Sequence, residues 1–350
     1  MITKQEIVNN ILKQTKVYNE QDKTKLKLNL LNKKSTAYAP SNIALCKYWG
    51  KRNFELNLPE TSSLSLSLGN KGAITTVGLH ISDHYKDKVI LNGEEVDETS
   101  SFYLRLVKYL DLFRIDNNCY FNIETNLNIP YAAGLASSAC GFAALVLALN
   151  KFFSWNLGLK ELSILARMGS GSAARSLYQG FVYWHKGELE DGLDSYAEQL
   201  EVDKFFDKIM FGLLILTDKK KSIGSTDAMN ITTKTSVLYK SWPDQVNQDL
   251  ALFTQALQNK DFALLGQTAE NNALAMHATM QSSIPAIYYS NSNTVELMHK
   301  IWDLRSKGLD VYFTQDAGPN LKLLFLDDDK EKIQKEFDNV DMVCPFVNNK

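Results

Sequence analysis

"NIPYAAGLASSACGFAALVLALN", residues 128–150, sets a run of Ala, Gly and Ser directly before an unusually apolar segment. Small residues let a backbone approach something closely, and serine hydroxyls hydrogen-bond. From Ala139 to Leu149 the residues are good helix formers, so the stretch reads as a tight polar turn feeding a helix N-terminus. Unpaired N–H groups and the positive end of the helix dipole converge at such a point, which suits it to an anion. A surface loop before a core helix has the same composition. The rest of the chain must decide between them.

The 350 residues are enough for about two domains of roughly 150 residues each. A content of 45% hydrophobic and 22% charged residues is that of a globular chain with a large core. The formal charge of −2 argues against a general nucleic-acid or membrane-surface binder, so any phosphate must meet a local cluster of cations. No apolar run approaches the roughly 18 residues of a membrane-spanning helix. The opening "MITKQEIVNNILKQTKVYNE" alternates charged with apolar positions, lacks a signal-peptide core and suits a short amphipathic helix. Cys46, Cys119, Cys140 and Cys344 are scattered without C-x-x-C spacing. They are expected to be small buried hydrophobes in a reducing cytoplasm, not a zinc site or a disulfide framework.

From residue 36 to 90 the pattern is one of short strands. "SSLSLSLG" alternates at period two, "AITTVGLHI" and "DKVILNGEEV" continue it, and Asn92-Gly93 marks a hairpin turn. "SFYLRLVKYLDLFRI" has helical spacing, and "CYFNIETNLNIP" is a strand that delivers the chain into residues 128–150. Beyond "GFVYWHKGE", the segment "KIMFGLLILTD" reads as a buried strand and residues 249–280 as a helical pair. A helix from Asn293 ends at Gly308, and "LDVYFTQDAGPNLKLLFLD" gives strand, turn, strand. The expected class is α+β, in two layered halves.

No G-x-x-x-x-G-K-[ST] occurs, which excludes a Walker P-loop. "GSGSAA" from Gly169 matches G-x-G-x-x-[GA], but a dinucleotide site needs a preceding strand, and "LKELSILARM" reads as helix. The same segment sets Ser170 and Ser172 beside Arg175, whose planar fork suits phosphate or carboxylate oxygens. A capped helix start with a surface Arg is the bland alternative. "APSNIALCKYWGKRN" concentrates Lys47, Lys51 and Arg52 around Tyr48 and Trp49, as either a solvated face or donors to an anion. In "FTQDAGPN", Asp316 is either a functional acid or a turn residue bonded to its own backbone.

Together these segments resemble the GHMP kinase superfamily, and within it the diphosphomevalonate decarboxylase family. "YAAGLASSACGFAAL" is similar to that family's phosphate loop. "NIALCKYWGKR", "GSGSAARSLYQGFVYW" and "DAGPN" are similar to three further signatures in the same order, as are "LNGEEV" and "MHATM" to shorter stretches, over roughly residues 36–326. The resemblance implies a two-domain α+β fold: an extension over 1–35, an ATP-binding domain over 36–187 like domain 2 of ribosomal protein S5, and a ferredoxin-like domain over 188–350. The active site would lie between the two domains.

The resemblance also implies a site. Ala133, Gly134, Leu135, Ala136, Ser137 and Ser138 would surround the ATP phosphates, with Mg²⁺ arriving on ATP and reached by Ser137. Tyr48, Trp49, Gly50, Lys51, Ser170, Gly171, Ser172, Arg175 and Ser225 would hold a phosphorylated mevalonate, and Asp316, Arg175 and Lys47 would be catalytic, Asp316 as the acid-base residue beside the tertiary hydroxyl with Lys47 close by. The implied reaction is ATP-dependent decarboxylation of 5-diphosphomevalonate to isopentenyl diphosphate, by a cytoplasmic homodimer. Sibling activities on the same fold are decarboxylation of the monophosphate and phosphorylation of the 3-hydroxyl alone; a non-catalytic metabolite binder is the alternative of another class. Thr61, Gln179 and Gln315 depart from the family pattern, which has Asn, Gly and an aromatic there.

Overall fold

The computed structural model describes residues 2–15, 23–80, 86–116, 118–129, 137–217 and 222–346. Helix α1 (Lys4–Leu12) starts at a reciprocal cap, the Thr3 hydroxyl accepting from the Glu6 N–H while the Glu6 carboxylate accepts from the Thr3 N–H. Its apolar stripe of Ile7, Val8, Ile11 and Leu12 is buried, so the start of the extension is a docked part of the fold. Helix α2 (Lys23–Leu30) follows.

The first sheet is built around β1 (Lys34–Cys46) and β4 (Ser63–His80), which run antiparallel along almost their whole length. Between them lies a small ribbon of β2 (Lys51–Asn53) and β3 (Leu58–Pro59). Strands β5 (Lys88–Leu91) and β6 (Glu94–Glu95) form the expected hairpin, with Asn92 and Gly93 both at positive φ. Helix α3 (Ser101–Leu110) crosses over to β7 (Tyr120–Leu127), which pairs in parallel with β5. After α4 (Ser137–Phe153) and α5 (Leu159–Gly169) come β8 (Phe181–Trp184) and β9 (Ala197–Gln199). The order is β6-β5-β7-β4-β8-β9, with β1 along β4.

Two strands were expected where β4 is one. The turn-like Gly69-Asn70-Lys71-Gly72 falls within it because β1 pairs with residues on both sides: Asn42 faces Ser67 and Pro40 faces Gly72, so the insertion is absorbed as a bulge. Helix α4 is buried nearly all round, as an apolar helix must be, and packs on β1 and β4.

The second half runs β10 (Ile209–Leu214), α6 (Ser225–Thr235), α7 (Trp242–Asn259), α8 (Phe262–Gln281), α9 (Ser292–Ser306), β11 (Tyr312–Gln315), β12 (Leu321–Leu326), α10 (Lys330–Glu336) and β13 (Asp341–Val343). All pairs are antiparallel, in the order β11-β12-β10-β13. With helices in both crossovers this is the ferredoxin-like arrangement. Helix α8 touches both β1 and β11, and one continuous apolar core joins the two halves. No described helix is long and apolar enough to cross a membrane.

Gly266 makes the close seating of α8 on β11 possible. A Cβ there would lie 2.2 Å from Cδ2 of Tyr312, a ring that is itself buried. Gly266→Leu is therefore expected to cost about 1–3 kcal/mol by overpacking, read as a lowered urea midpoint. An unchanged midpoint would mean that β11 moves off the helix freely.

Candidate functional site

Strand β11 ends at Gln315, whose buried amide donates to Ser290 Oγ at 3.0 Å and to the Gly318 carbonyl at 2.8 Å. The residue that departs from the family pattern thus pins the turn that follows. In that turn Asp316 Oδ1 lies 2.7 Å from Lys47 Nζ and Oδ2 lies 3.2 Å from Lys322 Nζ, and both lysine side chains are only 2% exposed. Burial pushes the Asp316 carboxyl up, but the two ammoniums outweigh it and hold the group well below the usual carboxylate range. Asp316 is therefore no simple turn residue.

Lys322 escaped the sequence reading. Its signal is there: a lysine inside the wholly apolar "LKLLFL" is buried on either face of a covered strand, and a buried lysine requires an anion.

Lys47 follows the bulged end of β1, where register shifts between Ala44 and Cys46. Its N–H donates to Asn272 Oδ1 at 2.8 Å, and its Nζ donates to the Ala44 carbonyl at 2.8 Å as well as to Asp316. Burial lowers the pKa of this lysine, with Asp316 opposing. Asn272, on α8, is held in turn by donating to Asp249 Oδ2 of α7 at 2.7 Å, and burial raises the Asp249 pKa. His277 Nε2 donates to the Asp316 carbonyl at 3.2 Å. Burial, reinforced by Lys47, pushes that imidazole down to about 4, so it is neutral at pH 7.

Arg175 is buried, not a surface residue. Its Nε donates to Asn42 Oδ1 at 3.2 Å, Nη1 to Ser63 Oγ at 2.5 Å, and the guanidinium stands 5.6 Å from the Trp184 ring centroid. Burial lowers its pKa to about 10, against the pull of Asp316 and Tyr48, so it stays charged at pH 7. It forms no ion pair among the described residues, so its charge is uncommitted. Tyr48 packs edge-on to Trp184 at 4.8 Å, and its hydroxyl is buried without a partner. Gly171 faces that hydroxyl, and a Cβ there would stand 2.6 Å from it.

Gly50 has φ of +109°, and a Cβ would stand 1.7 Å from the Tyr239 hydroxyl, so only glycine fits. Trp49 is buried, with its carbonyl accepting from Tyr239 Oη at 3.4 Å. Lys51 Nζ donates to Asn57 Oδ1 at 2.7 Å, and burial, then neighbouring cations, push its pKa down to about 8. Arg52 is used differently, its guanidinium donating to the carbonyls of Lys186 and Leu189.

Ser138, in the first turn of α4, lies with Oγ 3.4 Å from Ser170 Oγ at the end of α5. The helix after residues 128–136 is thus joined to the Ser170–Arg175 segment, within which the Ser172 carbonyl accepts from Asn42 Nδ2 at 3.5 Å. Ser137 is exposed at the first position of α4. Ala133, Gly134, Leu135 and Ala136 lie outside the described residues. Ser225 opens α6, and no contact among the described residues joins it to the Asp316 cluster. The described residues hold no group of three His, Cys, Asp or Glu that could bind a metal, and the four cysteines are free thiols.

Asn42, Ser63 and Asn272 also escaped the sequence reading, because small polar residues in strands and helices carry no periodic signal of what they touch. Asn272→Ala is expected to cost about 1–3 kcal/mol by leaving the Lys47 N–H and one Asp249 oxygen buried without their partner. Urea denaturation measures this, and a loss under about 0.5 kcal/mol would show that water replaces the amide.

Residues 39–197 match the model of the diphosphomevalonate decarboxylase-like N-terminal domain, and residues 212–346 that of the mevalonate 5-diphosphate decarboxylase C-terminal domain. The diphosphomevalonate decarboxylase of Aspergillus fumigatus is 38% identical over 317 residues, covering 86% of this chain and 78% of the relative. The crystal structure of mevalonate diphosphate decarboxylase from Staphylococcus aureus superimposes with a TM-score of 0.84 at 36% identity, over 91% of this chain and 98% of that one. A further solved structure, MDDEF in complex with MVAPP, AMPPCP and magnesium, gives 0.81 at 36% identity, over 89% and 96%. With both domain models matched in order along the fold and site described above, the chain belongs to the diphosphomevalonate decarboxylase family.

Proposed function

We propose that the chain carries out ATP-dependent decarboxylation of 5-diphosphomevalonate to isopentenyl diphosphate, ADP, phosphate and CO₂. The observation that carries this reading is an ionised, partly exposed carboxylate, Asp316, held by the buried ammoniums of Lys47 and Lys322 within the influence of the uncommitted charge of Arg175. The likeness to a solved complex with MVAPP, AMPPCP and magnesium supports the choice of ligands. The catalytic cleft lies, on this reading, between an ATP-binding half that begins near residue 36 and the ferredoxin-like half. The family resemblance supports a homodimer, and the four free thiols accord with a reducing cytoplasm.

In this proposal, Ser137 and Ser138 at the head of α4, with residues 130–136, bind the ATP phosphates. With only hydroxyls and no described carboxylate cluster there, these residues fit a Mg²⁺ ion that is carried chiefly by phosphate oxygens. A Mg²⁺ ion held there with the phosphates would supply charge neutralisation at the transferring phosphoryl group. Tyr48, Lys51, Ser170, Gly171 and Ser172 hold the phosphorylated end of the substrate, Trp49 and Gly50 shape the backbone between, and Ser225 is a further substrate contact. Arg175 orients the substrate carboxylate.

The tertiary hydroxyl oxygen takes the γ-phosphoryl group of ATP, releasing ADP, while its proton passes to an oxygen of that phosphoryl group; the C–O bond then breaks and phosphate leaves with the proton. The neighbouring C–C bond to the carboxylate supplies the electron pair for the new double bond as CO₂ leaves. A carboxylate held as low as Asp316 is a weak proton acceptor. Its strength is that of a fixed anion, which orients the hydroxyl and faces the positive charge that grows on carbon. Lys47 and Lys322 keep it ionised and in place.

Purified protein incubated with Mg-ATP and, separately, mevalonate, its 5-phosphate and its 5-diphosphate should release ADP and CO₂ in equal amounts with the diphosphate alone. ADP without CO₂ would make the chain a kinase, and equal release with the monophosphate would move it to the sibling reaction. Asp316→Asn should abolish this turnover while ATP affinity, measured by calorimetry, stays within about threefold; retained turnover would remove Asp316 from the chemistry.

Lys51 supplies a pH signature. The anionic substrate binds its protonated form, so kcat/KM should hold below pH 8 and fall above it, as the free enzyme loses the Lys51 proton. A profile that is flat to pH 9.5 would remove Lys51 from substrate binding.

A further inference from the structure

Helix α1 lies outside both matched domain models, which begin at residue 39, yet it brings a cation to the phosphate end of the site. Lys4 Nζ donates to the Met168 carbonyl at 2.8 Å, two residues before Ser170. Asn57 Nδ2 donates to the same carbonyl at 3.3 Å and to that of Arg167 at 3.0 Å, while Asn57 Oδ1 accepts from Lys51 Nζ. One carbonyl and one amide therefore link the two ammoniums.

Arg105 of α3 adds a third cation, its guanidinium lying 5.8 Å from the ring centroid of Phe142, the side chain that a Cβ on Gly169 would strike. Lys108 and Arg167 also act on Lys4, and Glu55 is the one carboxylate among the groups that do. None of Lys4, Lys51, Arg105 and Lys108 forms an ion pair among the described residues.

Glu55 offsets only part of the cluster's positive charge. Burial is the main cause that pushes both Lys4 and Lys51 down to about 8, and each receives further repulsion from the cations around it. Such a grouping is unfavourable in isolation and becomes favourable when a polyanion joins it. The helix that carries Lys4 is fixed by its buried stripe, and Gln5 Nε2 adds a bond to the Leu112 carbonyl at 3.1 Å, so the ammonium is positioned by packing.

We propose that Lys4 is a substrate-binding residue: with Lys51 it binds the distal phosphate of a diphosphorylated substrate, so that α1 completes the wall of the site. This rests on the reading above of Ser170 and Lys51 as the phosphate end, and it makes the diphosphate, not the monophosphate, the ligand that needs the extension.

The full chain, Lys4→Met and Lys4→Arg would be compared by calorimetry with inorganic pyrophosphate and with the 5-phosphate, and by kinetics with the 5-diphosphate. Lys4→Met keeps the length of the side chain and removes its charge. It should weaken pyrophosphate about tenfold and raise KM for the diphosphate about tenfold, the effect of one lost charge-assisted hydrogen bond. Its kcat, its melting temperature and its affinity for the 5-phosphate should stay near wild type, and Lys4→Arg should restore most of the affinity for the diphosphate.

Unchanged pyrophosphate affinity in Lys4→Met would overturn the proposal, above all with a lowered melting temperature, since Lys4 would then be a tether for the end of α5. Absence of pyrophosphate binding in the wild type would overturn it equally. Lys4-dependent pyrophosphate binding in a protein that turns over no mevalonate derivative would leave the anion site standing and remove the decarboxylase reading instead.

Discussion

A single carboxylate between two buried ammoniums joins the halves of this protein. Lys47 follows the last strand residue of β1 in the first sheet, whereas Asp316 and Lys322 belong to the β11–β12 hairpin of the second. Desolvating each charge costs several kcal/mol, and the attraction offsets this only at close range, which the 2.7 and 3.2 Å contacts supply. The balance of the triad is still one positive charge too many, and Arg175 adds another within the influence of Asp316. The cluster thus holds buried positive charge that an anionic ligand would complete. Stability is withheld where binding needs it, the usual compromise at a functional site.

The surroundings of the triad are built to keep it from relaxing. Asn272 holds the Lys47 backbone, and Asp249 holds Asn272, so α7 and α8 act as a brace between the sheets. Gly266 lets α8 sit against β11 closely enough for His277 to reach the Asp316 carbonyl. Because the imidazole is neutral at pH 7, it fixes that carbonyl without adding another cation to an already positive site. Gln315 performs the same service one residue earlier, through Ser290 and Gly318. A turn held from several sides can keep its carboxylate still while charge moves nearby, which is the condition for electrostatic preorganisation.

What the chain declares locally, it declares well. The Asn92-Gly93 turn, the Gly308 end of α9 and the apolar helix from Ser137 each follow from a few adjacent residues, and each forms in place. What it hides is sequence-distant. Lys47 meets Asp316 across 269 positions and Asn272 across 225, and no periodicity reports contacts at that separation. Family resemblance supplied Asp316 and Lys47 together but passed over Lys322, whose only local sign is a charge in a strand with no exposed face. The long β4 shows the converse: "SSLSLSLG" and "AITTVGLHI" read as separate short strands, and pairing with β1 on both sides joins them into one. Arg175 and Arg167 mark a further limit, since both are buried arginines in one short stretch. Arg167 gives Nη1 to the Gly192 and Ser195 carbonyls and serves the fold, a difference that only the structure displays.

The same charge arithmetic orders the proposed reaction. A substrate that brings a diphosphate, a carboxylate and the phosphates of ATP into one cleft is strongly repelled by itself, so the protein must supply cations at each end. At the phosphate end these are Lys51 and its neighbours, weakly held protons near pH 8 that a polyanion would fasten. At the reacting end they are Lys47, Lys322 and Arg175, and there one anion is deliberately kept among them. Were Asp316 absent, that end would favour negative charge throughout and would resist the cationic carbon formed as phosphate departs. With Asp316 ionised by its two lysines, the proposed reaction would use one local field at both stages: the cations toward the transferring phosphoryl oxygens, and the carboxylate toward the carbon they leave. A carboxylate tuned near neutrality would serve proton transfer better, but it would be uncharged for part of the time at the moment the carbon needs its charge.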